Sequence, residues 1–208
     1  MIEKSGWKTG IYCCFLHDRY LWVLEGNLKC NHENGNGSYI GGEKKQITME
    51  DKFAMQTYFL GLFNFDYWAN KKLLSAMQEA GFLPERVKNI YSHLLATTQI
   101  WHGRLIGIKT EVAVWENFPQ DNWLTILEEN KIRMETYLKD LTEETFNTGI
   151  SYTNSKGLAF YTLAEDILTH MIAHSNYHQG QIVAGLKPIL ATLPDINYIT
   201  YCREKQEV

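Results

Sequence analysis

Nothing in this chain suggests a disulfide framework. Its four cysteines, Cys13, Cys14, Cys30 and Cys202, fall at irregular intervals. The adjacent Cys13 and Cys14 cannot readily bridge each other, so reduced thiols and a cytoplasmic setting are expected. With His32, the cysteines match no zinc-finger spacing. A basic surface is missing too. Twenty Lys and Arg stand against 24 Asp and Glu, for a formal net charge of -4, and no Lys/Arg cluster marks a nucleic-acid face. Long apolar runs are also absent. The stretch over residues 11–24 is broken by His17, Asp18 and Arg19, which makes it too short and too charged for a membrane span and unlike a cleavable signal. There is no internal repeat and no low-complexity segment.

The chain does have the composition of a globular protein: 45% hydrophobic residues, 13% aromatic, six Trp and twelve Tyr in 208 residues. That suffices for one domain whose core is dominated by aromatic packing. Residues 1–48 differ from the rest. Asn31-His32-Glu33-Asn34-Gly35-Asn36-Gly37-Ser38 and Gly41-Gly42 are turn-rich and carry no sustained period. Two readings stand: a poorly ordered accessory extension, or residues upstream of a natural start at Met49.

After Met49 the pattern is helical. Phe53, Met55, Tyr58, Leu62, Phe65, Trp68, Ala69, Leu73 and Met77 recur mostly every three or four residues, which predicts a first helix to Glu79, stopped by Gly81. A second helix spans residues 84–108, with Pro84 near its start. A third spans residues 123–141, capped by Asp121 or Asn122, with Leu124, Leu127, Met134, Leu138 and Leu141 facing inward. Asn154-Ser155-Lys156-Gly157 separates two short β-like runs and reads as a hairpin turn. Thr162-Leu163-Ala164-Glu165 has the form of a capping box for a fourth helix to about Ile189, bent or ended near Gly180, Gly185 or Pro188. The tail 194–199 is expected to pack as a short segment and Arg203 onward to fray. The expected fold is therefore all-α, an up-down four-helix bundle with a small β-hairpin before the last long helix.

His170, His174 and His178 lie four residues apart on that last helix. Each step turns the helix by about 400°, so successive imidazoles are offset by only about 40° and about 6 Å. Two neighbours on one face can share a metal ion. The stripe can also be read as a wet surface, or as core histidines satisfied by neighbours, although a buried stack without partners is costly to desolvate. A helical pair supplies two ligands where a catalytic site typically has three, so a third must come from elsewhere. By position His93, mid-way along the second helix, is the best candidate. His102 lies later, beside Gly103, and His17 and His32 belong to the irregular N-terminal region.

Three segments carry a resemblance. Phe65-Asp66-Tyr67-Trp68-Ala69-Asn70 is similar to an aromatic Y-N-x-W-A-N opening. The run His93-Leu94-Leu95-Ala96 followed by Trp101, Arg104 and Gly107 resembles H-I-L-A-x-x-x-x-W-L-x-R-I-x-G. His170-Met171-Ile172-Ala173-His174-Ser175-Asn176-Tyr177-His178-Gln179-Gly180-Gln181-Ile182 resembles H-V-x-N-H-x-x-H-H-R-G-Q-I. Together they resemble the DinB-like (DinB/YfiT) superfamily of metal-dependent helical bundles over residues 49–208, about three quarters of the chain. Residues 1–48 have no counterpart. Gln179 stands where the family usually has Arg, and Tyr177 where a His is common.

The resemblance implies a divalent metal held by one histidine of the second helix and two of the fourth, here His93, His174 and His178, with His170 as a neighbour. Zinc or nickel is expected, with iron a further candidate, since imidazole suits all three. It also implies a small-molecule substrate and either thiol S-transferase chemistry, with a low-molecular-weight thiol as co-substrate, or hydrolase chemistry. The alternative is a non-catalytic, stress-associated metal-binding bundle. A homodimer fits either reading; nucleic acid and membrane are not expected partners. No carboxylate lies between His174 and His178, so the HExxH protease motif is absent. Asp166 either orients an imidazole or is a solvated carboxylate at the helix start. Tyr177, Gln181 and His170 are candidates for shaping the open side of the site.

Overall fold

A computed structural model describes residues 49–206. The expectations for residues 1–48, including Cys13, Cys14, Cys30, His17 and His32, lie outside the described residues. The rest is mostly helical with one antiparallel hairpin: α1 (Met49–Ala80), α2 (Glu85–Leu105), α3 (Trp123–Asp140), α4 (Glu143–Phe146), β1 (Gly149–Thr153), β2 (Ala159–Leu163), α5 (Ala164–Leu186) and α6 (Tyr198–Glu204).

Local chemistry sets the ends of these elements. Gly81, at φ 69°, and Gly107, at φ 71°, follow α1 and α2 in the left-handed conformation that glycine adopts at little cost. Pro84 precedes the first turn of α2. A 3₁₀ turn over Gln120–Asn122 leads into α3, and Asn122 caps it by backbone position without a side-chain bond. In the hairpin, Asn154 Oδ1 accepts from the Lys156 and Leu158 amides at 2.9 and 3.0 Å, and Gly157 takes φ 79°. Ser151 is thereby set opposite Tyr161.

The capping box expected at Thr162 does not form. Thr162 belongs to β2, and α5 starts after Leu163 with no side-chain cap. Strand pairing across the hairpin claims that backbone first. The capping box that does form is at α4, where the Thr142 amide donates to Thr145 Oγ1 at 2.7 Å and the Thr145 amide to Thr142 Oγ1 at 3.4 Å. The tail folds further than expected: α6 buries Tyr201 and is tied back to α1 by Trp68 Nε1–H donating to Glu204 at 2.9 Å.

The long helices do not simply alternate. Tyr91 packs on Trp123, Asn130 donates to the Leu95 carbonyl, and His102 meets Tyr137, so α2 and α3 run in the same direction. The connection over residues 106–122 is long enough to carry the chain back along α2. By contrast, α5 runs against α2, with His178 and His174 near His93 and His170 near Trp101. It runs alongside α1. The order of α1, α2, α3 and α5 is up-down-down-up, which corrects the simple up-down expectation.

Two large apolar clusters fill most of the interior, beside a small third one of Phe65, Ala69 and Tyr201. One gathers Leu73, Met77, Val87, Tyr91, Trp123, Ile182 and Leu186; the other gathers Phe59, Phe63, Leu105, Met134, Leu138, Ile167 and Leu168. Leu124, expected inside, is exposed, and Trp123 beside it takes the inward place. Between the clusters lie Asp66, Asn70, Thr97, Asn130, Ser175 and Gln179, a polar belt at the level of the histidines.

Helix α5 passes through Gly180 and Gly185 without ending. At Gly185 the absence of a side chain admits α2: an added Cβ would stand 2.5 Å from Val87 Cγ2. Val87 is β-branched and stiff, so the helices themselves would have to part. Gly185→Ala should cost about 1–3 kcal/mol by overpacking. Adding Val87→Ala should recover part of that loss, read as a positive coupling in a double-mutant cycle of denaturant melts. Strict additivity would show that this contact does not set the spacing.

Candidate metal centre

His93 comes from the middle of α2, and His174 and His178 from successive turns of α5. Each offers a ring nitrogen, and the three atoms lie within 4.8 Å of one another. His93 Nε2 and His174 Nε2 are 3.3 Å apart. Two ligands on one tetrahedral zinc, each bonded at 2.0–2.1 Å, stand about 3.4 Å apart. The ring centroids are 5.2 Å apart for His93 and His174, 4.9 Å for His93 and His178, and 4.5 Å for His174 and His178.

Outer partners fix which nitrogen faces inward. A backbone carbonyl can only accept, so the 2.6 Å contact between His93 Nδ1 and Val114 O puts the His93 proton on Nδ1 and leaves Nε2 bare. His178 Nδ1 donates likewise to Gln181 Oε1 at 2.9 Å. Metal-binding histidines typically have their second nitrogen anchored in this way. With an ion bound, the lone pairs of His93 and His174 would converge on it. Without one, a single proton on His174 closes the 3.3 Å contact.

The loop that supplies Val114 is pinned to α2. Ser92 Oγ donates to the Glu116 carbonyl at 2.6 Å and accepts from the Phe118 amide at 2.8 Å. The same loop lays Trp115 flat on His93, with centroids 4.0 Å apart and planes at 17°. Trp115 and Tyr177 are both exposed and stand over the cluster's outer edge. A cavity of about 710 Å³ opens there, lined by Trp115, Tyr177, His178, Gln181, Asn89 and Arg86 among others.

Electrostatics favour the neutral form of His174, His93 and His170. Burial, then the neighbouring His178, His93 and His170, push the His174 pKa down to about 4. Burial lowers that of His93, partly opposed by the bond to Val114. His170 is lowered by burial and by the Arg104 charge. Neutral imidazole is the form that ligates a metal, so the lowered values of His93 and His174 suit a divalent ion at neutral pH.

The structure brings together the three histidines picked by resemblance and leaves the others outside. His170 is exposed, its ring 5.5 Å from His174 and packed on Trp101. His102 packs on Tyr137, on the α3 side. Asp166 is an exposed carboxylate in the first turn of α5. Gln179 does not face the site. It is 1% exposed and donates to Asp66 Oδ1 at 2.9 Å, beside Ser175 Oγ, which also donates to Asp66. Val114, Trp115 and Ser92 were not read from sequence: a backbone carbonyl has no residue signature, and only Gln181, three residues after His178 on one helix face, could have been paired in advance.

These features define a class: a helical protein with a converging three-imidazole donor set between antiparallel helices. The DinB family model matches residues 71–207, and the chain belongs to the DinB family. Comparison with the curated proteins and with the solved structures finds no match. Among the described residues, no helix is long and apolar enough to cross a membrane.

The shifts set the acid response of the metal-free protein. The fold favours neutral His174, at about 4 against 6.5, so its stabilisation is complete above about pH 6.5 and is lost as pH falls through the folded value. Asp66 acts in the opposite sense. Burial raises it from 3.8 to about 6, so its contribution is complete below the lower value and is lost as pH rises through the upper one. Asp66→Asn keeps an acceptor for Ser175 and Gln179 and removes the charge. It should raise stability at pH 8 by about 1–2 kcal/mol and give no gain near pH 4. Thermal melts at both pH values check this; a variant weaker than wild type at pH 8 would contradict the assignment.

Proposed function

We propose that the four long helices form the bundle of the DinB family and that His93, His174 and His178 hold a divalent metal ion, zinc or nickel, at the centre of a metal-dependent enzyme acting on small molecules. The single observation carrying this reading is the convergence of three ring nitrogens within 4.8 Å, two of them with their second nitrogen anchored. A bound divalent ion supplies Lewis acidity, which lowers the pKa of water and favours thiolate over thiol.

The chain's own residues would do the positioning. Val114 and Gln181 hold two imidazoles in the ligating tautomer. Trp115 and Tyr177 form an apolar edge that limits water, and the adjoining cavity is within the size range of small-molecule sites. Thiol S-transfer and hydrolysis both suit this arrangement. The second reading is a bundle that binds metal without turnover; family membership and the histidine geometry accommodate it equally.

Untagged protein loaded with zinc or nickel and then dialysed should retain about one ion per chain by elemental analysis. His93→Ala and His174→Ala should each abolish stoichiometric retention, whereas His170→Ala should keep most of it. Equal loss from all three would mean that a different pair on α5 is used. Metal-dependent conjugation of a thiol to an electrophile, abolished in His174→Ala, would support the transferase; full metal retention with no turnover of thiols or esters would favour the non-catalytic reading.

A further inference from the structure

A second cavity, of about 740 Å³, lies between the segment following α2 and the hairpin. Its lining includes two cations, Arg104 and Lys109, and the hydroxyls of Thr110, Ser151 and Thr153. It includes no Asp or Glu. A cavity of ligand size with positive charge, several donors and no carboxylate is chemically one-sided.

Arg104 is the informative residue. Its guanidinium lies 4.2 Å from the Trp101 ring centroid and 4.7 Å from that of Tyr152. The two rings are themselves 5.3 Å apart at 74°, so they form a corner in which the cation is seated. Among the described residues the guanidinium makes no hydrogen bond and no ion pair. Aromatic faces hold a guanidinium without occupying the N–H groups on its edge, and those donors match a carboxylate or phosphate bidentately. Such a half-desolvated, pre-oriented fork is what an anion site requires and what a merely structural arginine usually lacks.

The cavity also adjoins the histidine cluster. Val114, whose carbonyl accepts from His93, lines it. Trp101, under Arg104, meets His170 at 5.0 Å, and His170 meets His174 at 5.5 Å.

We infer that this cavity recognises the anionic group, carboxylate or phosphate, of a small molecule, with Arg104 as its principal anchor and Lys109 as an auxiliary charge. Its role as the far end of the metal centre's substrate rests on the metal reading above; anion binding itself does not.

The test is calorimetric titration of the full chain, metal-free, at low ionic strength, with inorganic phosphate in one arm and succinate in the other. Saturable binding of either anion is expected, and the arm that binds identifies the group. Arg104→Gln should weaken it by about tenfold or more, and Lys109→Gln by about threefold. His174→Ala should leave it within about twofold, which keeps this result separate from the fate of the metal site. Wild type that binds neither anion, or Arg104→Gln that binds as wild type does, would overturn the inference. If Arg104→Gln loses its cooperative melt, Lys109→Gln decides, and an unchanged affinity there overturns it as well.

Discussion

Imidazoles and carboxylates placed half-way along packed helices have lost most of their water, and the architecture is arranged around repairing that loss. An unpaired buried polar group costs free energy comparable to a lost hydrogen bond or more. The middle layer is therefore satisfied largely from within, with Asn70 Oδ1 the one buried side-chain oxygen left without a partner among the described residues. His93 is satisfied by a backbone carbonyl from the loop after α2, His178 by Gln181, and Asp66 by Ser175 and Gln179. The bonds to Val114 and to Asp66 tie together elements that apolar packing alone would leave free to slide, whereas the bond to Gln181 stays within α5. The layer sits between two apolar clusters, which supply the burial that makes pairing necessary.

This explains the course of the chain between α2 and α3. A connection that only had to reverse direction could be a few residues long. This one travels back along α2, and where it passes His93 it presents Val114 and Trp115 to that ring. Ser92, one residue before His93, uses its hydroxyl as both donor and acceptor to hold Glu116 and Phe118 in place. Two neighbouring residues of α2 thus fix the loop that fixes one of their own rings. A further result is that α3 starts beside the start of α2 and runs parallel to it, where the sequence suggested alternation.

Periodicity made the long helices legible because their apolar residues repeat over many turns. The hairpin was legible from Asn154 and Gly157, whose chemistry suits one tight turn. Helix direction was not, since no pattern in α3 says which neighbour it lies along. The Thr162 cap failed because local helix chemistry and strand pairing competed for the same residues, and pairing with Ile150 prevailed. At the site, the spacing of His170, His174 and His178 indicated a helical row and position pointed to His93; resemblance then chose His174 and His178 from the row. The outer partners stayed hidden because a carbonyl at Val114 looks like every other carbonyl in the sequence. The inward turn of Gln179 toward Asp66 stayed hidden for a related reason: adjacency to His178 in sequence says little about side-chain direction, since successive helical residues point about 100° apart.

That last point separates two roles on α5. His170, His174 and His178 form one row; Ser175 and Gln179, also four apart, form another that faces α1 and Asp66. The second row has no part in ligation, yet it fixes the rotation of α5 about its axis and so the direction in which the first row points. A converging donor set tolerates little rotation. At an axial radius of about 6 Å for a ring nitrogen, a turn of 20° moves it by about 2 Å, roughly a whole metal–ligand bond. The carboxyl of Asp66, expensive to bury and raised to about 6 by that burial, is therefore best understood as an orienting group. The fold tolerates a destabilising residue in α1 because it holds the histidines of α5 in register with the one on α2.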